Sequence, residues 1–340
     1  MRVVRPAIRV SAIGAEARPS AFIFDEGSRR SIFEFQSQAE LDELATLLAG
    51  LANAPLSARV QAFVNQNQEM FDEVGADTAH LLMSSHQSRQ LSYYACAAGI
   101  DGALACLTKL EQAQVLILGV GGVGSHLAEH LVRIGVRKFV LVDFDKVERS
   151  NLNRQILYTS ADLGRKKTEA ASDRLRQIQG GPLAISCYDR FFPELIQDLE
   201  PGRAMIFVSA DSMPFELRRA VVAEAFPRAI PYAFLSYVGE QAVVRPLVFD
   251  QSAGCGCCAV MKGRPEEWFR PIAAHKALDT PPSSYAINAV VAALAADMWT
   301  RHLAGGIEGS VELKISMRDH SVSRTVPHRD LSCPVCGQNA

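Results

Sequence analysis

Val115-Leu-Ile-Leu-Gly-Val-Gly-Gly-Val-Gly124 starts as a short apolar run and breaks into glycines. That order reads as a buried strand, a tight turn and the opening of a helix. Gly119 and Gly121 allow the backbone to turn and approach a phosphate, and Gly124 allows the helix to pack closely on the strand. The helix start then offers unpaired N–H groups to an anion. The glycines alone fit a dehydrogenase as well as an ATP enzyme, so the residues further out must separate the two.

Lys138-Phe-Val-Leu-Val-Asp143 is a second apolar strand ending in an acid, at the distance from the glycines that suits a ribose hydroxyl. Asn151-Leu-Asn-Arg-Gln155 and Gly164-Arg-Lys-Lys-Thr-Glu169 follow. Arg154 and Lys167 converging on one phosphate cluster suit a triphosphate that must release pyrophosphate. Lys166 and Arg149 read as solvated charges. Met205-Ile-Phe-Val-Ser-Ala-Asp211 is a third buried strand, delivering a carboxylate at the edge where open α/β sheets bind ligands. An acid there suits Mg²⁺. A hydride-transfer site has no use for a metal carboxylate at that place, which favours ATP chemistry.

Beyond Leu107, strands expected near 114–119, 138–143, 183–188 and 204–209 alternate with helices near 124–135, 166–179 and 213–226. This predicts an α/β fold with a doubly wound, mostly parallel Rossmann-like sheet. Tyr232 to Pro246 reads as strand-turn-strand, and the alanine-rich run Ser283 to Asp297 as a helix suited to a dimer seam. The first 84 residues read as a small α+β domain and 85–340 as the nucleotide-binding domain. Phe22 to Phe35 is a hairpin, and Ser37-Gln-Ala-Glu40 is a capping box opening a helix with Leu41, Leu44, Leu47 and Leu48 on one face. Helices are expected near 56–65 and 69–83.

The chain has 35 Lys and Arg against 37 Asp and Glu, a net charge of −2, so neither nucleic acid nor a membrane surface is the expected partner. No apolar run reaches the roughly 18–20 residues of a membrane span. Met1-Arg-Val-Val-Arg-Pro6 has no secretory h-region, which predicts a cytoplasmic location.

Of the eight cysteines, Cys255 and Cys258 are spaced CxxC, as are Cys333 and Cys336. Two such pairs supply the four thiolates of a closed structural zinc site, with Cys257 a competing ligand of less suitable spacing. Cys96, Cys106 and Cys187 read as reduced structural thiols, and His126 as packing or solvent-facing. No cysteine occurs between Cys258 and Cys333, across a crossover loop at 259–283.

The ordered set GxGGxG, LVDFD, NLNRQ, GRKKTE and SAD resembles the ThiF–MoeB–HesA form of the ubiquitin-activating superfamily, over roughly residues 86 to 340. That resemblance implies an ATP-dependent adenylyltransferase that activates a carboxylate. It implies a nucleotide site of Gly119, Gly121, Gly122, Gly124, Asp143, Asp145, Asn151 and Gln155, with Arg154 and Lys167 on the triphosphate and Asp211 on Mg²⁺. Arg89, in Ser88-Arg89-Gln90, would reach the γ-phosphate of a neighbouring subunit, which implies a homodimer. Relatives that pass the acyl group to a cysteine carry it in the crossover loop, and its absence here argues against a thioester step.

The order of elements in the N-terminal domain resembles the winged-helix peptide-recognition element of enzymes that modify ribosomally made peptides. With the cysteine-free loop and the ending Cys333-Pro-Val-Cys-Gly337, this is similar to the branch that adenylates the microcin C precursor peptide. The expected partner is therefore a precursor peptide. A pantocin-type cyclase acting on a side-chain carboxylate, a sulfur-carrier adenylyltransferase and a non-catalytic leader-peptide binder remain alternatives.

Overall fold

Eight strands form one sheet, in the spatial order Val322–Thr325, Val311–Ser316, Gln241–Val248, Tyr232–Val238, Ala204–Val208, Gln114–Leu118, Lys138–Val142 and Ala184–Tyr188. The structure is a computed structural model. It describes all residues but 1, 6–7, 16–17, 27–28, 49–54, 86, 211–214, 262–282, 306–308 and 338–340. The chain divides into two compact units, Met1–Leu107 with Ala304–Gly306, and Thr108–Leu303 with Ile307–Ala340.

In the first unit, β1 (Arg2–Val4) pairs with β5 (Phe71–Glu73), and β2 (Arg9–Ala15), β3 (Arg18–Glu26) and β4 (Arg29–Glu34) form an antiparallel sheet. Helices α1 (Gln38–Leu48), α2 (Ala58–Gln66), α3 (Ala76–Ser84) and the start of α4 (Ser88–Gln112) complete it. Ser37 Oγ caps α1, accepting from the Glu40 N–H at 3.2 Å, while Glu40 reaches back to the Gln36 N–H at 2.7 Å, one residue beyond the usual box. Leu44 and Leu47 then bury against Phe24, Phe33 and Phe63. Residues 71–73, expected within a helix, are a strand instead. A three-residue strand has no periodicity of its own, and its partner β1 lies at the far end of the unit. The unit boundary at 107/108 falls inside α4, past the 84/85 position read from the sequence. The backbone of α4 leaves the helical region at Gly99, φ 70°.

In the second unit the elements are β6 (Gln114–Leu118), α5 (Gly122–Arg133), β7 (Lys138–Val142), α6 (Lys167–Gln179), β8 (Ala184–Tyr188), α7 (Glu194–Gln197), β9 (Ala204–Val208) and α8 (Phe215–Ala225). There follow β10 (Tyr232–Val238), β11 (Gln241–Val248), α9 (Cys258–Met261), α10 (Tyr285–Leu303), β12 (Val311–Ser316) and β13 (Val322–Thr325). Strands β8, β7, β6, β9 and β10 run parallel, and β10 to β13 are antiparallel, so the sheet is mixed. Every residue of β9 is buried, as its unbroken apolar run requires of a strand covered on both faces. The chain reverses its direction of winding at β6, which lies between β7 and β9. The carboxyl ends of β6 and β9 therefore open a crevice, the place where such sheets bind ligands.

Candidate functional site

The glycine turn leaves β6 at Gly119, whose φ of 92° favours glycine and whose added Cβ would stand 2.7 Å from the Ala210 nitrogen. A Cβ on Gly124 would collide with the Gly119 carbonyl oxygen and stand 2.7 Å from Ser209 Oγ. The Ser209 hydroxyl itself donates to the Gly119 carbonyl at 2.7 Å, and the buried Tyr158 hydroxyl donates to the Val120 carbonyl at 2.7 Å. The turn is thus pinned from two sides. Gly122 packs against Asn288 of α10, whose amide nitrogen would lie 2.7 Å from a Cβ there. Gly121 differs: among the described residues nothing comes nearer than Gln155 Nε2 at 3.8 Å, and the residue lines an open cleft.

Asp143, just past β7, accepts from the Val120 N–H at 2.7 Å and from the Asp145 N–H at 2.9 Å. Burial pushes its carboxyl up, while Lys167 and these two N–H groups pull it down. Lys167, at the start of α6 and 5% exposed, places its Nζ 2.7 Å from Asp145 Oδ2. Asn151 sits in the loop after β7 and caps its own turn by accepting from the Glu148 N–H at 3.0 Å. The Arg154 guanidinium bonds within that turn, to the Ser150 carbonyl at 2.8 Å and Asn153 Oδ1 at 3.0 Å. Lys166 and Arg149 are exposed.

These residues converge. Gly119, Gly121, Gly122, Asp143, Asp145, Asn151, Arg154, Gln155 and Lys167 all line one cleft, which encloses about 980 Å³ with its open mouth. Gln155 Oε1 is buried with no hydrogen-bond partner among the described residues. An orphaned acceptor beside a glycine turn fits a polar ligand that supplies the missing donor. The cleft also takes in Phe144, Asp189, Arg190, Phe191, Ala210 and Leu217, which the motifs did not single out. Asp189 to Phe191 directly follow β8, so their place at the carboxyl edge of a parallel strand was the available signal. Asp211 lies outside the described residues, although its neighbour Ala210 lines the cleft. Arg89 stands exposed on the first turn of α4, in the first unit.

Elsewhere in the second unit, Cys255, Cys258, Cys333 and Cys336 bring their sulfurs within 4.8 Å of one another. The Sγ–Sγ distances are 3.7 Å for 255–258, 3.9 Å for 255–333 and 3.4 Å for 258–336. A tetrahedron of Zn–S bonds of about 2.3 Å has edges of about 3.8 Å, so the four thiols fit zinc. Hydrogen bonding with the Cys255 thiol, and further with Cys336 and Cys333, holds the Cys258 thiol below the ordinary thiol range. Cys257 is buried but is not one of the four, which removes it as a competing ligand. Cys106 is buried, whereas Cys96 and Cys187 are exposed.

The chain belongs to the ThiF family, which matches residues 88–328. It is 33% identical over 160 residues to the sulfur carrier protein ThiS adenylyltransferase of Escherichia coli K12, a match covering 46% of this chain and 62% of that one. The chain thus spans about three-fifths of that relative's length. Its fold is that of E. coli MccB, seen in a structure with ATP (TM-score 0.70, 21% identity, 99% of both chains covered). The Microcin C7 biosynthetic enzyme MccB in complex with N-formylated MccA matches equally, with a TM-score of 0.70, 21% identity and 99% of both chains.

Proposed function

We propose that this protein is an ATP- and Mg²⁺-dependent adenylyltransferase that activates a carboxylate of a short ribosomally made peptide. The observation that carries the reading is the convergence of Asp143, Asn151, Arg154, Gln155 and Lys167 on the glycine turn, in one cleft at the switch point of the sheet. A carboxylate of pKa about 4 is ionised at neutral pH and needs no general base. Its oxygen attacks the α-phosphorus, the bond to the bridging oxygen breaks, and pyrophosphate leaves with the electron pair. Catalysis is then positioning plus neutralisation of the charge that grows on the leaving group. Asp143 and Asp145 hold the ribose edge. Arg154 and Lys167 meet the phosphates, and Arg89 reaches them from the second subunit of a homodimer. Asp211 would hold Mg²⁺, which when bound would supply Lewis-acid charge to the triphosphate. Zinc on the four cysteines ties the C-terminal tail to the segment after β11 and serves the fold.

For the substrate, the likeness to MccB extends over 99% of both chains and so includes the first unit, whereas the family match begins at residue 88. This supports a peptide bound with the help of residues 1–84. The relatives named as sulfur carrier protein ThiS adenylyltransferases favour a second reading, a sulfur carrier protein as substrate. ATP–pyrophosphate exchange decides between them. A candidate precursor peptide should stimulate it, and a carrier protein ending in Gly-Gly should not. Exchange driven only by the carrier would overturn the peptide reading, and absence of exchange with either would leave a binding protein.

A further inference from the structure

His126 stands early in α5, four residues past Gly122, with its ring buried and 7% exposed. Its Nε2 lies 3.2 Å from the carbonyl oxygen of Arg154. The Tyr285 ring, at the first position of α10, meets the imidazole edge-on at 4.6 Å and 79°. A carbonyl can only accept, so Nε2 carries the proton whichever charge the ring holds. Burial lowers the imidazole pKa, opposed by the Arg154 carbonyl and the Glu129 carboxylate, which favours the neutral ring at neutral pH.

A leucine would fill such a place without the cost of burying a polar ring, so the bond itself calls for an explanation. Its acceptor belongs to Arg154, which lines the cleft. The Arg154 guanidinium is braced only within its own turn in the bonds described above, and Asn151 O accepts from both the Arg154 and the Gln155 N–H groups. The turn is therefore a small rigid piece, and His126 ties it to the helix that opens at Gly122.

We propose that His126 is a positioning residue: its Nε2–H, donated to the Arg154 carbonyl, holds the 151–155 turn at the distance from α5 at which Arg154 and Gln155 meet the triphosphate. This rests on the reading of the cleft as an ATP site. A packing role predicts something different, because Phe or Met would then replace His without loss of nucleotide binding. Calorimetric titration of the full-length protein with Mg·ATP, beside melting curves, separates the two.

His126→Phe and His126→Met, which fill the space without a donor, should each weaken ATP binding about tenfold, the loss of one well-placed hydrogen bond. His126→Gln, whose amide N–H reaches about as far as Nε2, should stay within about threefold of the natural protein. Adding His126→Phe to Arg154→Ala should cost less than the sum of the two single losses, since part of what His126 positions is the Arg154 side chain already removed. If His126→Phe fails to fold, His126→Met carries the comparison. ATP affinity within twofold of wild type for either donor-free variant, or full additivity with Arg154→Ala, would overturn the proposal. Wild-type protein that binds ATP but supports no exchange defeats the adenylation reading while these affinities still decide the role of His126. Wild-type protein that binds no ATP defeats both.

Discussion

Gly121 and Gly124 lack side chains for different physical reasons, and substitution separates them. Gly124→Ala pushes a methyl into the Gly119 carbonyl and the Ser209 hydroxyl, so the start of α5 must move off β6. Overpacking of this kind costs about 1–3 kcal/mol or more, and the melting temperature should fall by several degrees. Gly121→Ala meets nothing among the described residues nearer than 3.8 Å and should change stability by less than about 1 kcal/mol, yet its methyl borders the cleft and should weaken ATP binding. Parallel melting and titration of the two variants checks this, and equal melting losses would show that Gly121 is also a packing glycine. Asp211→Ala should fold normally and lose exchange activity by roughly 10²-fold or more, since a metal clamp contributes several kcal/mol. Near-normal pyrophosphate release from that variant would remove Asp211 from the mechanism. At this scale the meeting of the motif glycines with Asp143, Arg154 and Lys167 in one cleft was legible, because their order along the chain places them at neighbouring strand ends. Ser209, Tyr158 and Asn288 were not. Each acts by touching a turn 34 or more residues away in sequence, and a lone Ser, Tyr or Asn carries no spacing signal.

Strands β6, β7 and β9 fall within a residue or so of where their apolar runs place them, because a strand buried on both faces must be apolar throughout; β8, the largely exposed edge strand, starts one residue inside its expected span. The antiparallel extension β11 to β13 was only partly visible. β12 and β13 are half-exposed to exposed, so nothing in their composition requires a sheet. The cysteine pairs act at the level of elements, tying the segment after β11 to the C-terminal tail. Elemental analysis should find one zinc per chain. Removing it with a chelator should lower the melting temperature before it slows ATP–pyrophosphate exchange, because a closed four-thiolate site contributes folding energy and offers no open position to substrate. Active protein free of zinc, or a chelator that stops exchange without altering the melting curve, would contradict that role.

For the whole molecule, the proposed homodimer predicts that Arg89 of one subunit completes the site of the other. Arg89→Ala and Arg154→Ala should each be nearly inactive alone. Once mixed and allowed to exchange subunits, half of the dimers would pair one of each and carry one intact site, restoring about a quarter of the natural activity. Mixing without recovery, in protein shown to exchange subunits, would place Arg89 outside the neighbouring site.

The sequence by itself determined the doubly wound α/β class, the glycine turn and the pairing of CxxC motifs, because each follows from local periodicity or from ligand chemistry at short spacing. Only the tertiary structure decided the mixed pairing of the sheet, the exclusion of Cys257 from the thiol cluster and the tie between His126 and Arg154. Those depend on which distant segments meet, and a chain's local preferences do not encode a contact whose partners are tens of residues apart until the core has packed.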